Sequence, residues 1–121
     1  MENQVQFRKA LKNDLNTIVK MLADDALGTS RERFESPLPS SYSNAYDSID
    51  KDSNNALIVA ILKDEIIGVL QLTFIPNLTY QGSWRAMIEG VRVSSKFRSK
   101  GIGQSLIQEA IRRANIKGCR L

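Results

Sequence analysis

Arg98-Ser99-Lys100-Gly101-Ile102-Gly103 lies between an apolar segment ending at Val91-Arg92-Val93 and a stretch whose apolar residues recur at helical spacing. Those residues are Ile102, Leu106, Ile107, Ala110, Ile111 and Ala114. The order is therefore strand, short basic loop, glycines, helix. The first N–H groups of a helix have no partner within it, and the dipole adds partial positive charge there. Glycines at 101 and 103 let an anion approach the main chain closely. Lys96, Arg98 and Lys100 add positive charge, and Ser105 offers a hydroxyl. Such a turn is an anion site made of backbone. A dinucleotide fingerprint does not fit, because Leu106 stands where its third glycine would be. A nucleoside-triphosphate loop does not fit either, for want of Gly-Lys followed by Ser or Thr.

Working outward, Trp84 to Val93 reads as a strand in which Gly90 marks a bulge or a close backbone approach. Before it, Ala56 to Leu62 is the continuous apolar run of a buried strand. Lys63-Asp64-Glu65 joins that run to a β-branched strand over Ile66 to Ile75, so the pair is a hairpin. Pro76 ends it and Asn77 to Gly82 is a loop. Nearer the N-terminus, Val5 to Arg8 is a short strand. Asn13 or Asp14 offers an N-cap to a helix whose apolar stripe is Leu15, Ile18, Val19, Leu22 and Ala26, with Gly28 as its stop. Residues 28–41, polar and broken by Pro37 and Pro39, read as a loop, and Tyr42 to Ile49 as a second helix. The last helix runs from Gly101 to Ile116, with Arg112, Arg113 and Lys117 suiting the dipole and Gly118 at its C′ position. Cys119-Arg120-Leu121 opens another strand.

The 121 residues are of single-domain size, and 42% hydrophobic against 25% charged is the balance of a chain that buries its own core. The net charge of +4 suits a small anionic ligand as readily as nucleic acid. Basic residues at 92–100 and 112–120 have no interleaved aromatic beyond Phe97, which argues against nucleic acid. No apolar run approaches the ~20 residues of a membrane span. Met1-Glu2-Asn3-Gln4 lacks the pattern of a signal peptide, and Cys119 is the single cysteine, so the expectation is a cytoplasmic protein. The absence of histidine removes the Ser-His-Asp and Cys-His nucleophiles and the usual zinc sites, and no metal is expected. Acid–base chemistry falls to carboxylates, tyrosines, lysines, Cys119, backbone or water.

Arg98, Gly101 and Gly103 fill the pattern Arg or Gln, two residues, Gly, one residue, Gly or Ala. With Val91-Arg92-Val93 at the matching spacing and the order of elements upstream, the whole chain resembles the GNAT superfamily of N-acetyltransferases. The resemblance implies one α/β (α+β) domain over residues 1–121, a mixed, mostly antiparallel sheet flanked by helices. It implies acetyl-CoA as co-substrate. The diphosphate would rest on the N–H groups of Lys100, Gly101, Ile102, Gly103, Gln104 and Ser105, beside Arg98 and Ser99. The pantetheine arm would run along the backbone of Val91, Arg92 and Val93 like an added strand. An N–H near Val93 would polarise the thioester oxygen.

The implied reaction is direct attack of a primary amine, on a small molecule or peptide, on the acetyl thioester. An amine with a pKa near ~10 must first lose a proton. Glu89 is the candidate base. At period two it shares a face with Met87 and Val91 unless a bulge intervenes; otherwise it pairs with Arg85 or Arg92 at the sheet surface. Trp84 and Tyr80 line an acceptor pocket or serve packing. Family members continue with more strand, a helix and a final strand pair, which usually supply a tyrosine acting as general acid. This sequence is therefore expected to be a shortened domain lacking the C-terminal strand-helix-hairpin, with an exposed sheet edge that a homodimer would cover. The same scaffold would alternatively be a non-catalytic module binding acyl-CoA or a partner.

Overall fold

The computed structural model describes residues 4–120. Met1 to Asn3, read above for a leader, and Leu121, read as strand, lie outside the described residues. Five strands form one sheet in sequence order: β1 (Gln6–Lys9), β2 (Asn55–Leu62), β3 (Glu65–Pro76), β4 (Trp84–Val93) and β5 (Cys119–Arg120). The longer helices are α1 (Leu15–Leu22), α2 (Ala26–Arg31), α3 (Ser40–Lys51) and α4 (Ile102–Lys117), and a distorted four-residue turn, Thr79–Gly82, joins β3 to β4. Every neighbouring pair is antiparallel except β4 and β5, which run parallel because α4 carries the chain back between them. The expected mixed, mostly antiparallel sheet flanked by helices is what forms.

β2 and β3 read as nearly unbroken apolar runs because both of their faces are covered. On one face Ile102, Leu106 and Ala110 of α4 pack on Ala56, Ile58, Ala60, Leu70 and Leu72. On the other, Ile18 and Met21 of α1 and Tyr46 of α3 pack on Val59 and Val69. Each fully buried aliphatic side chain contributes roughly 1.5–3 kcal/mol. The buried phenol of Tyr46 donates to the Ala10 carbonyl at 3.0 Å, so the core holds no orphan hydroxyl there. The β2–β3 turn is made by Lys63 (φ 50°) and Asp64 (φ 66°), the two left-handed residues whose twist matches a tight hairpin.

The α1 stripe ends sooner than its spacing implies. The helix stops at Leu22, and Asp25, in an extended conformation, caps a separate α2 by accepting the Gly28 N–H at 2.5 Å. Ala26 and Gly28 therefore belong to α2, and Gly28 is not a stop. A Cβ at Gly28 would lie 2.0 Å from the Leu22 carbonyl oxygen. The glycine permits close approach of the two helices, a need that apolar periodicity does not reveal. The loop expected over residues 28–41 shrinks accordingly to 32–39. Tyr42 fastens it, donating to Glu32 at 2.7 Å and accepting from the Arg33 N–H at 3.1 Å.

Gly90 does sit in a bulge. Gln71 faces Glu89 and Val69 faces Arg92, so two residues of β4 oppose the single residue Leu70. Gly90 takes φ +60°, a conformation that disfavours a side chain. The extra residue shifts the alternation by one. Val91 and Val93 turn to the α4 side, whereas Arg92 turns to the α1–α2 side and joins Met87 and Glu89. The bulge is the exception under which Glu89 does not share a face with Val91, and it remains on the face of Met87.

Candidate functional site

The loop from Arg98 to Gly103 leaves β4 through a single 3-10 turn, Ser95–Phe97, and enters α4 at Gly101. Ser99 (φ +65°) and Gly101 (φ +81°) are both left-handed, the kind of turn backbone from which anion-binding concavities are built. The first bond of α4 runs from the Ser105 N–H to the Gly101 carbonyl at 3.0 Å. Among the described residues, the N–H groups from Ser99 to Gln104 have no protein acceptor. Gly101 caps the helix without a side chain, and among the described residues no side-chain cap hydrogen bond closes the turn. Ile102 is buried and anchors the first turn in the core. Gly103 lies against Val93: a Cβ there would be 3.8 Å from the Val93 Cγ2, an ordinary contact.

The cations divide differently from the sequence reading. Lys96 reaches Glu65 at 3.4 Å. Arg98 turns back, donating from Nε to the Val93 carbonyl at 3.2 Å and from Nη2 to the Asp24 carbonyl at 3.1 Å. Only Lys100, among the three and within the described residues, has no ion-pair partner. The Ser105 hydroxyl donates to the Gly101 carbonyl at 3.0 Å and so helps to close the helix. The anion site is thus mainly backbone N–H and helix dipole, with Lys100 beside it.

The outer edge of β4 leads to this loop. β5 pairs only with Trp84 and Arg85, so residues 86–93 have no strand partner on that side among the described residues. Two carbonyls spaced as on one edge, those of Val91 and Val93, are held by side chains: Arg92 Nη1 at 2.9 Å and Arg98 Nε at 3.2 Å. The edge is accessible to an extended ligand and is blunted by guanidinium groups rather than by a strand.

Glu89 is exposed on the opposite face, across from Gln71 and beside Met87. Neither Arg85 nor Arg92 pairs with it among the described residues. Arg92 is held by Asp25 instead, Nε to Oδ2 at 3.5 Å. Asp25 lies below the usual carboxylate range, first because the Gly28 N–H bonds to it and further because Arg92 and Arg31 lie near. A cleft of about 720 Å³ opens between α1, the β2–β3 turn and Ser94 to Lys96; it includes neither Glu89 nor the glycine loop. Tyr80 is exposed beneath Arg120, and Trp84 carries Lys117 over its ring at 5.0 Å. Burial pushes the Cys119 thiol up, which makes it a poor nucleophile. Among the described residues no group of His, Cys, Asp and Glu is arranged to hold a metal ion, and no helix is long and apolar enough to cross a membrane.

A family model, the acetyltransferase (GNAT) family, matches residues 20–121. The chain belongs to the GNAT acetyltransferase family. A transcriptional regulator from Bacillus halodurans is 57% identical, with 98% of this chain and 79% of that one covered at a TM-score of 0.94. A Trypanosoma brucei acetyltransferase is 24% identical and shares the fold, with 96% and 78% covered at 0.76. A predicted acetyltransferase from Clostridium acetobutylicum, solved with acetyl-CoA, is 15% identical, with 97% and 77% covered at 0.73. No curated protein matches. In this fold the glycine loop follows the C-terminal end of β4, and the open edge over residues 86–93 and the face carrying Glu89 belong to the same strand.

Proposed function

We propose that this GNAT protein transfers an acetyl group from acetyl-CoA to a primary amine on a small molecule or peptide. The observation that carries the reading is the run of N–H groups from Ser99 to Gln104 without a protein acceptor, at the start of α4 and at the end of an open strand edge. A diphosphate supplies the acceptor oxygens such a turn lacks. The Val91 and Val93 carbonyls, each with a second lone pair, then also take the amide N–H groups of the pantetheine arm alongside Arg92 and Arg98. The coenzyme brings the activated acetyl group. The chain's own residues bind it, orient it and manage the proton.

The amine nitrogen forms a bond to the acetyl carbon, the carbon–sulfur bond breaks with its electron pair leaving on coenzyme A as a thiolate that takes a proton from water, and the amine loses a proton. Glu89 is the group proposed to receive that proton, directly or through water, because its residue is exposed on the face opposite Val91 and, among the described residues, makes no ion pair. A main-chain N–H near Val93 is proposed to steady the charge on the thioester oxygen.

Calorimetry with coenzyme A, followed by a thiol-release assay across a panel of amines, tests the reading. Binding with turnover on at least one amine is the expected result. Binding with no turnover on any amine favours a non-catalytic acyl-CoA module. No binding refutes the site. Glu89→Gln is expected to spare coenzyme affinity and lower turnover, most strongly near neutral pH, where an amine with a pKa of ~10 is still protonated and needs a base; unchanged turnover at every pH removes Glu89 as the base.

A further inference from the structure

The bulge in β4 places Arg92 where it meets Asp25, and Asp25 does two things at once. One carboxylate oxygen caps α2 through the Gly28 N–H, and the other faces Arg92 Nε. That Nε is buried and, among the described residues, makes no hydrogen bond, so Asp25, at 3.5 Å, supplies its compensating charge. One residue earlier, the Asp24 carbonyl accepts from Arg98, whose Nε also holds the Val93 carbonyl. The α1–α2 junction is therefore fastened at consecutive residues to the end of β4 and to the first residue of the glycine loop.

We infer that Asp25 is a positioning residue, through which occupation of the glycine loop fixes the placement of α2. This rests on the reading of residues 99–104 as the coenzyme site. A ligand that immobilises the loop and the β4 edge removes freedom from Arg92 and Arg98, and those arginines hold the junction. The segment that follows, α2 and residues 32–39, is then ordered by a ligand it does not touch. By linkage, anything that fixes α2 tightens coenzyme binding by the same factor.

Residue-resolved amide hydrogen exchange with and without coenzyme A tests this. Asp25→Asn and Asp25→Ser are the variants, since both side chains still cap α2 while neither carries the charge facing Arg92. In the unaltered protein, coenzyme A is expected to slow exchange at residues 99–105 and, by about five-fold or more, at Gly28, Thr29 and Glu32. In both variants slowing at 99–105 persists, whereas slowing in α2 falls to about two-fold or less, the remainder passing through the Asp24 carbonyl. A merely structural cap would leave the coenzyme-dependent difference in α2 intact, and that result overturns the inference. So does slowing at 99–105 with unchanged or faster exchange in α2 of the unaltered protein, which leaves the coenzyme site standing. If coenzyme A slows exchange nowhere, the site itself is refuted and the inference falls with it.

Discussion

Gly68→Ala tests how closely α4 is seated on the sheet. Gly68 lies opposite Ala60 and Val93, under the first turns of α4. A Cβ built there would be 2.8 Å from Leu106 Cδ1, 3.3 Å from the Arg92 carbonyl oxygen and 3.5 Å from Ile102 Cγ2. Leu106 is fully buried, so its methyl has no open space to enter, and the Arg92 oxygen belongs to the ladder. Overpacking of this kind costs about 1–3 kcal/mol, and loss of glycine entropy in the unfolded chain offsets about 0.4–1. The net expectation is destabilisation by about 1–2 kcal/mol, which for a domain near this size lowers the melting temperature by about 4–8 °C. Thermal unfolding followed by circular dichroism measures it. Adding Leu106→Val shortens the side chain the new methyl strikes, so the double variant is expected to be more stable than the sum of the singles. An unchanged or raised melting temperature for Gly68→Ala would refute the argument, as would strict additivity with Leu106→Val.

Gly103→Ala is expected to keep coenzyme A affinity and leave the melting temperature unchanged or slightly higher, because its Cβ meets Val93 at ordinary contact distance. Gly103→Glu is expected to fold but to abolish calorimetrically detectable coenzyme binding by placing a charge among the N–H groups; retained affinity in a folded variant would contradict the site. Burial pushes the Asp14 carboxyl up, but the Arg8 guanidinium at 2.7 Å and the Leu11 N–H outweigh it and hold the group below its usual range. Its contribution to stability is then present above about pH 4 and lost as pH falls through the lowered value. Asp14→Asn should therefore destabilise at neutral pH by about 1–3 kcal/mol, with the gap closing in strong acid; denaturant unfolding across pH measures both.

The parts of the fold legible in the sequence are those governed by short-range chemistry. The β2–β3 hairpin follows from two apolar runs around Lys63-Asp64-Glu65, and α4 from its stripe and terminal glycines. The bulge was readable because Gly90 interrupts a strand pattern. What depends on distant partners was not. The apolar stripe runs on through Ala26 although α1 stops at Leu22, because the break is set by the approach of Gly28 to the Leu22 carbonyl. The charges around the loop could be counted in advance. Their partners, Glu65 for Lys96 and Asp24 for Arg98, come from segments 31 and 74 residues away in sequence, as the numbering of the ion pairs records. Arg92 would have been placed on the α4 side by plain alternation, and only the register across β3 puts it beside Asp25.

The extra residue at Gly90 also acts as a phase dislocation in β4. Before it, odd-numbered positions from Arg85 to Glu89 look out over the α1–α2 side; after it, odd-numbered Val91 and Val93 belong to α4. One strand is thereby divided into two independently variable halves. The odd-numbered side chains of the first half can be exchanged without disturbing the contacts that seat the helix, whereas Ala86 and Ile88 pack in the same cluster as α4. Removing one residue at the junction, by contrast, would send Arg92 into the aliphatic core and a valine to the open face. A family of variants drawn from this scaffold should accordingly keep its fold through wide substitution at Arg85 and Met87 while holding the length of β4 fixed.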